Sequence, residues 1–355
     1  MFFSLLVGLA QKYLNAPNAI EGDALDPMVK GDTKVYKTFW GALATSFASL
    51  LSGASVGPEG PLGYLAVDIA AWLSVRFKLS GEGLIPAAMA GISAAYNGLI
   101  GNSVFSAVMA SETEGGKGGL PQLAANLAAG SVGFLVFRLL GVPAFAGALS
   151  EGEPFDLSVE LVIWAIILGL IGAVLAVYTG VAMRVFGTVM GRFEGRPILR
   201  VMVAGVIIAI VGYFIPDLLF SGEASLGAIV ANPAQTGIAM LLILALVKPL
   251  LLALSLKSGY LGGPIFPLLF SAIMIGLALS LLFPDMPVGM LTACLQVAVI
   301  TLALNAPLTS ILLVTVITGA DANLLELIVV SGVTAMITGQ VIRELMTRRS
   351  AVLSA

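Results

Sequence analysis

Two short runs of this sequence carry the residue types that can hold a small anion. The first is Gly57-Pro58-Glu59-Gly60-Pro61 and the second is Gly263-Pro264-Ile265-Phe266-Pro267. Proline suits the first turn of a helix, where its missing N–H costs nothing, and glycine lets an ion approach the backbone closely. The free N–H groups at such a helix start, with the positive end of the helix dipole, form an anion site built from partial charges. Partial charges bind weakly enough for release, as conduction requires. Gly57, Pro58, Gly60, Gly263, Pro264, Ile265 and Phe266 are therefore the expected anion-binding residues. Glu59 is the odd member, a carboxylate between apolar runs. It can occupy the anion site as a tethered competitor, or accept a proton and swing away, which makes it a functional candidate. The plainer alternative is a capping glutamate satisfied by its helix N-terminus.

Other ionisable residues inside apolar runs are few. Asp68 stands two turns into the helix expected from Pro61. A proton relay there is one reading, and pairing with a neighbouring polar group is the stronger one. Lys248, alone in an apolar run, is expected to snorkel or pair at the cytoplasmic interface. The chain has no histidine, which excludes histidine bases and histidine-ligated metals. Its one cysteine, Cys294, permits neither an internal disulfide nor a CxxC site. No nucleophile–base pair is present, so neither an enzyme nor a cofactor or metal is expected. The run ETEGGKGG from Glu112 lacks the GxxxxGK[ST] pattern of a phosphate loop and reads as a flexible connection.

These residues must be positioned by elements suited to lipid. Of 355 residues 59% are hydrophobic and 10% charged, with a mean hydropathy of +1.04, whereas a soluble domain carries about 25% charge. Water-soluble enzymes, nucleic-acid binders and disordered chains are excluded, and the net charge of −3 suggests no polyanionic partner. The fold expected is an all-α polytopic membrane protein with the lipid bilayer as its solvent. Uncharged stretches cover 38–58, 83–111, 118–137, 161–183, 228–247, 258–284 and 286–320, with shorter ones at 1–11, 139–150, 201–216 and 327–342. A span needs about 20 residues, so the longest stretch must hold two helices. The 41 glycines and 17 prolines point to broken or re-entrant helices, roughly ten to thirteen in all. The first residues, MFFSLLVGLAQ, read as a truncated helix rather than a signal peptide, having no basic n-region.

Basic residues set the orientation. Arg184, Arg192, Arg196 and Arg200 form one expected loop cluster, and Arg343, Arg348 and Arg349 mark the C-terminus. With Lys30, Lys34, Lys37, Arg76 and Lys78 they are placed on the cytoplasmic side. The acidic stretch holding Glu151, Glu153, Asp156 and Glu160 is placed outside, one span away from the arginine cluster.

An internal repeat emerges from the motifs. Gly57–Leu62 and Gly263–Leu268 are 206 residues apart, while ISAAYNG and ITLALNA, with Asn97 and Asn305, are 208 apart. The expected halves are residues 1–150 and 151–355, with the substrate site where they meet. The first half is expected to be N-terminally shortened, since just 56 residues precede Gly57.

Taken in order, these motifs resemble the CLC family of chloride channels and proton-coupled anion antiporters. GPEGP looks like the family's GxEGP motif, and LGGPIFPLLF (261–270) is similar to its GxFxP region. AAYNGLIG (94–101) and NAPLTSILLV (305–314) match the stretches that follow each motif, and SGEASLG (221–227) falls at a loop-to-helix turn of the second half. The resemblance covers residues 14 to 345. It implies a CLC-like inverted-repeat bundle of short, tilted and broken helices, and a homodimer with one pore per subunit. It also implies Glu59 as the external gating glutamate, and chloride or another small anion as substrate, with protons in the antiporter branch. There are departures. LNAPNA (14–19), followed by Ile20-Glu21-Gly22, stands at the family's GSGIPE motif. Asn15 replaces its serine with an amide that can still donate. Ile265 falls at the usual phenylalanine, with Phe266 one place later, and no tyrosine lies around Ala320–Asn323. The family's internal proton-transfer glutamate would fall near Met109. Glu112, one turn beyond, is a displaced proton entry on one reading; on the stronger one, Glu112 and Glu114 are merely solvated. The expected function is anion permeation in a prokaryotic inner membrane. Proton-coupled chloride or fluoride antiport and a non-conducting structural subunit are the alternatives.

Overall fold

The computed structural model describes residues 1–14, 16–17, 35–78, 84–112, 119–141 and 155–354. Asn15, the acidic residues Glu151 and Glu153, and Glu114 lie outside the described residues. Within them the chain forms fifteen α-helices and no strand, more helices than the composition suggested, because glycine and proline cut the apolar runs into shorter pieces. The helices are α1 (Phe2–Tyr13), α2 (Phe39–Leu51), α3 (Glu59–Arg76), α4 (Leu84–Ile100) and α5 (Ser103–Glu112). They continue with α6 (Gly119–Leu139), α7 (Val159–Gly191), α8 (Pro197–Phe214), α9 (Glu223–Ala231) and α10 (Pro233–Thr236). The last five are α11 (Ile238–Ser258), α12 (Ile265–Leu282), α13 (Val288–Leu304), α14 (Pro307–Thr318) and α15 (Ala322–Ser354). Six of them, α6, α7, α8, α11, α12 and α15, are long and apolar enough to cross a membrane.

Local chemistry sets the boundaries. Pro197 and Pro307 open α8 and α14 where a missing N–H is harmless. The Ser158 hydroxyl accepts the Leu161 N–H at the start of α7. The apolar run 38–58 yields the 13-residue α2 and then a turn from Ser52 to Pro58. The run 286–320 holds α13 and α14, separated at Asn305, whose left-handed backbone (φ 53°) ends the first.

The core centres on α13. All of its residues from Gly289 to Thr301 are buried, enclosed by α7, α12, α14 and α15. At 17 residues it is about 26 Å long, close to the hydrocarbon thickness, yet it presents no face to lipid. The outer helices do. Ile163, Val174 and Val181 of α7 and Ile210 and Phe214 of α8 are exposed, as expected where lipid is the neighbour. Such a chain is an integral membrane protein.

One part of the charge map is corrected. Arg184 lies inside α7 and Arg200 inside α8, so the turn between the helices holds Arg192 and Arg196. Arg200 is buried, and its Nε donates to the Ser258 carbonyl at 3.0 Å. Its Nη2 also donates to the Gln11 side-chain oxygen at 3.4 Å, so the guanidinium ties α8 to α1 and to the end of α11.

Candidate functional site

The turn after α2 and the turn after α11 meet in the middle of the bundle. The Gly57 N–H donates to the Gly263 carbonyl at 2.8 Å, and the Gly263 N–H donates to the Gly57 carbonyl at 2.9 Å. Around this pair the bonding is reciprocal. The Ser49 hydroxyl accepts the Leu261 N–H at 2.9 Å, while the Ser255 hydroxyl accepts the Ser55 N–H at 3.3 Å. Ser49 and Ser255, Ser55 and Leu261, and Gly57 and Gly263 all stand 206 residues apart. An exchange in which residue i meets j and j's counterpart meets i's is the signature of a two-fold relation. Ser49 and Ser255 were missed in the sequence, though extending the 206-residue offset backwards from Gly57 brings them into register.

Close approach explains the glycines. A Cβ on Gly60 would run into the backbone of Gly262 and Gly263, and a Cβ on Gly263 would run into the Glu59 side chain. Pro58 and Pro264 precede the first residues of α3 and α12 as their caps.

Glu59 opens α3 and is 3% exposed, and its carboxylate faces its own backbone N–H as well as the start of α12. Its Oε1 accepts the Ile265 N–H at 2.6 Å, at the first residue of α12. The Phe266 N–H faces the same carboxylate, and Oε2 is buried without a full hydrogen bond. The carboxylate thus sits where the dipole and free N–H groups of α12 favour negative charge. Of the expected anion residues, Gly57, Pro58, Gly60, Gly263, Pro264, Ile265 and Phe266 come together around it. Asn15 lies outside the described residues.

Tyr96 of α4 was also missed. Its hydroxyl donates to the Glu59 backbone carbonyl at 3.3 Å, bringing a phenol to the site from within the AAYNGLIG run. The 320–323 region supplies none, and Asn323 instead donates to the Phe155 carbonyl at 2.8 Å.

The remaining charged candidates separate. Asp68 is 3% exposed, and the Thr38 hydroxyl lies 3.1 Å from each of its oxygens. Glu112 is not a solvated loop residue. Its Oε1 accepts the Leu308 N–H at 3.0 Å, and its Oε2 accepts the Thr309 N–H and hydroxyl, both at 2.6 Å. It caps α14 across the bundle, because the orphan N–H groups of that helix start need an acceptor. Nor does Lys248 snorkel to an interface. It is 0% exposed, and its Nζ donates to the carbonyls of Leu218 (3.1 Å), Leu219 (3.2 Å) and Phe220 (2.8 Å). Three donors meet three acceptors, and the ammonium also stands 4.9 Å from the Phe270 ring centroid.

A family model described as "Voltage gated chloride channel" matches residues 3–339. Curated relatives from Escherichia coli (strain SMS-3-5 / SECEC) and Escherichia fergusonii, each called "Putative ion-transport protein YfeO", are 28% identical over 267 residues, which is 72% of this chain. The chain spans 60% of the length of these relatives. Among solved structures, a slow cyanobacterial Cl−/H+ antiporter is similar in fold, with a TM-score of 0.80 and 19% identity over 98% of this chain and 85% of the other. A CLC-type fluoride/proton antiporter gives 0.71 and 19% over 88% and 80%.

Proposed function

The chain belongs to the voltage-gated chloride channel family, and on that premise we propose that it carries a small anion, chloride in the first instance, across the membrane. One observation carries the reading. The Glu59 carboxylate rests on the Ile265 N–H at the N-terminus of α12, the place a permeating anion would take. Glu59 is the gate in this reading, and it blocks the site by imitating the ion. When the side chain leaves, or is neutralised by a proton, the N–H groups of Ile265 and Phe266 become free for chloride. The site is supplied by both halves, residues 1–150 and 151–355, with Gly57, Pro58 and Gly60 from one and Gly263, Pro264, Ile265 and Phe266 from the other. Partial charges alone line it, so the ion is held loosely enough to leave. A homodimer with one such site per subunit is the assembly proposed.

The test is chloride efflux from liposomes. Wild-type protein should pass chloride faster than potassium, and Glu59→Gln should raise the flux and reduce its dependence on pH. Efflux equal to that of empty liposomes from both folded proteins would rule the reading out and favour a non-conducting structural subunit.

Proton-coupled exchange of chloride or fluoride is a second reading. It draws support from the Cl−/H+ and fluoride/proton antiporters that share the fold, with Asp68, buried on the same helix as Glu59, as the relay it requires. Under it, a chloride gradient should drive protons the opposite way, and Asp68→Asn should abolish that movement. Comparing fluoride with chloride efflux distinguishes the substrates.

A further inference from the structure

The cytoplasmic end of α7 joins charge to apolar surface in a way that anion conduction does not use. No residue of 161–183 is charged, and Arg184 is the first cation after that run, at the level where lipid headgroups begin. At 3.6 residues per turn Val177, Val181, Arg184, Thr188 and Arg192 fall within about 80° of one another, and all five are exposed. They form one stripe, apolar towards the middle of the membrane and cationic at its end. Val174, on the edge of the stripe, is 67% exposed. It precedes Arg184 by about 15 Å along the helix, half of a hydrocarbon thickness of about 30 Å. The valines are therefore about one leaflet deep.

A second helix adds a cation. A Cβ on Gly187 would stand 3.8 Å from Cδ and 3.9 Å from Cε of Lys257. The Lys257 stem, from the last turn of α11, thus lies along α7 about one turn beyond Arg184, with its ammonium free to reach the headgroup level. Nothing stands within 4 Å of where a Cβ on Gly180 or Gly191 would be, so that edge of α7 is open on either side of the lysine. Among the described residues, none gives the side chains of Arg184, Arg192 or Lys257 a hydrogen bond or an ion pair. The nearest carboxylate in sequence is Glu194, in the turn after α7, which leaves positive charge in excess. The dipole of α7 explains a cation in its last turn, but not Arg184 two turns earlier, nor the valine stripe that leads to it.

We propose that this stripe binds one anionic phospholipid of the inner leaflet. Arg184, Arg192 and Lys257 hold the phosphate through charge-assisted hydrogen bonds, and an acyl chain lies along Val174, Val177 and Val181. A free phosphate ion would meet the same cations but leave the valines unused. A zwitterionic lipid would bring its own ammonium among them. The site shares no residue with the anion site, so its test needs no chloride flux.

Native mass spectrometry of the protein in neutral detergent counts the bound lipids. Phosphatidylglycerol should be retained in preference to phosphatidylcholine of the same chains, and inorganic phosphate should not displace it. R184Q, R192Q and K257Q should each weaken phosphatidylglycerol binding by roughly fivefold, the worth of one basic residue beside an anionic headgroup. R184K keeps the charge and should bind like wild type. R76Q removes an exposed cation of α3, away from the stripe, and should change nothing. Equal retention of the two lipids, unchanged binding in the three α7 and α11 variants, equal weakening by R76Q, or displacement by inorganic phosphate overturns the proposal. So does a shift of the R184Q/R192Q/K257Q variant to a smaller species in size-exclusion chromatography, which would give the stripe to a second copy of the chain.

Discussion

Gly57 and Gly263, 206 residues apart, exchange two backbone hydrogen bonds of 2.8 and 2.9 Å. In a bundle with no strand among its described residues, this isolated pair clamps two turns that no helix packing would hold. It also brings the start of α3 against the start of α12, so the Glu59 carboxylate reaches the Ile265 N–H.

Alanine at two glycines of this clamp should have different consequences. At Gly263 the new methyl meets the Glu59 side chain, which can move; at Gly60 it meets the backbone of Gly262 and Gly263, which cannot. Gly263→Ala should therefore stay folded and conduct like Glu59→Gln, with raised chloride efflux. Gly60→Ala should be destabilised by about 1–3 kcal/mol, visible as a lower Tm in detergent. Equal behaviour of the two would contradict the geometry.

Ser49→Ala and Ser255→Ala each strip the acceptor from a buried N–H, a change of about 1–3 kcal/mol. Ser49 makes the shorter bond, 2.9 against 3.3 Å, so its variant should lose more Tm. A larger loss at Ser255 would argue against these bonds as the cause.

Lys248→Met removes three donors at once and leaves the carbonyls of Leu218, Leu219 and Phe220 without them. The expected destabilisation is about 3–5 kcal/mol, as for breaking a buried charged contact. Denaturation of the purified protein measures it, and a variant within error of wild type would mean that water replaces the ammonium.

Glu112 latches α5 to the first turn of α14. Glu112→Ala should cost about 1 kcal/mol, the usual value of a helix cap, and should accelerate hydrogen exchange at the Leu308 and Thr309 amides. Unchanged protection at those two amides would contradict the latch.

Much of this protein is written in its residue types. Low charge and many glycines and prolines announce a membrane bundle of interrupted helices, and Gly57–Pro61 and Gly263–Pro267 announce two helix starts equipped for an anion. The repeat was legible too, but two motifs showed it while Ser49 and Ser255 passed unnoticed, since serine is ordinary in any apolar run. The solvated reading of Glu112 and the snorkelling of Lys248 failed for one reason. A charge in a lipid-facing sequence takes whatever acceptor or donor the bundle brings near, and that neighbour lies 196 residues away for Glu112 and 28 to 30 for Lys248.

The sequence by itself therefore determined the solvent, the helical class and the chemistry available at each helix start, because these depend on side-chain hydration and local backbone preference. Which start each carboxylate occupies was decided by tertiary structure alone. Helix N–H groups point along the axis, so their direction in space is known once the helices are packed. Glu59, the first residue of α3, reaches the Ile265 N–H of α12 for that reason.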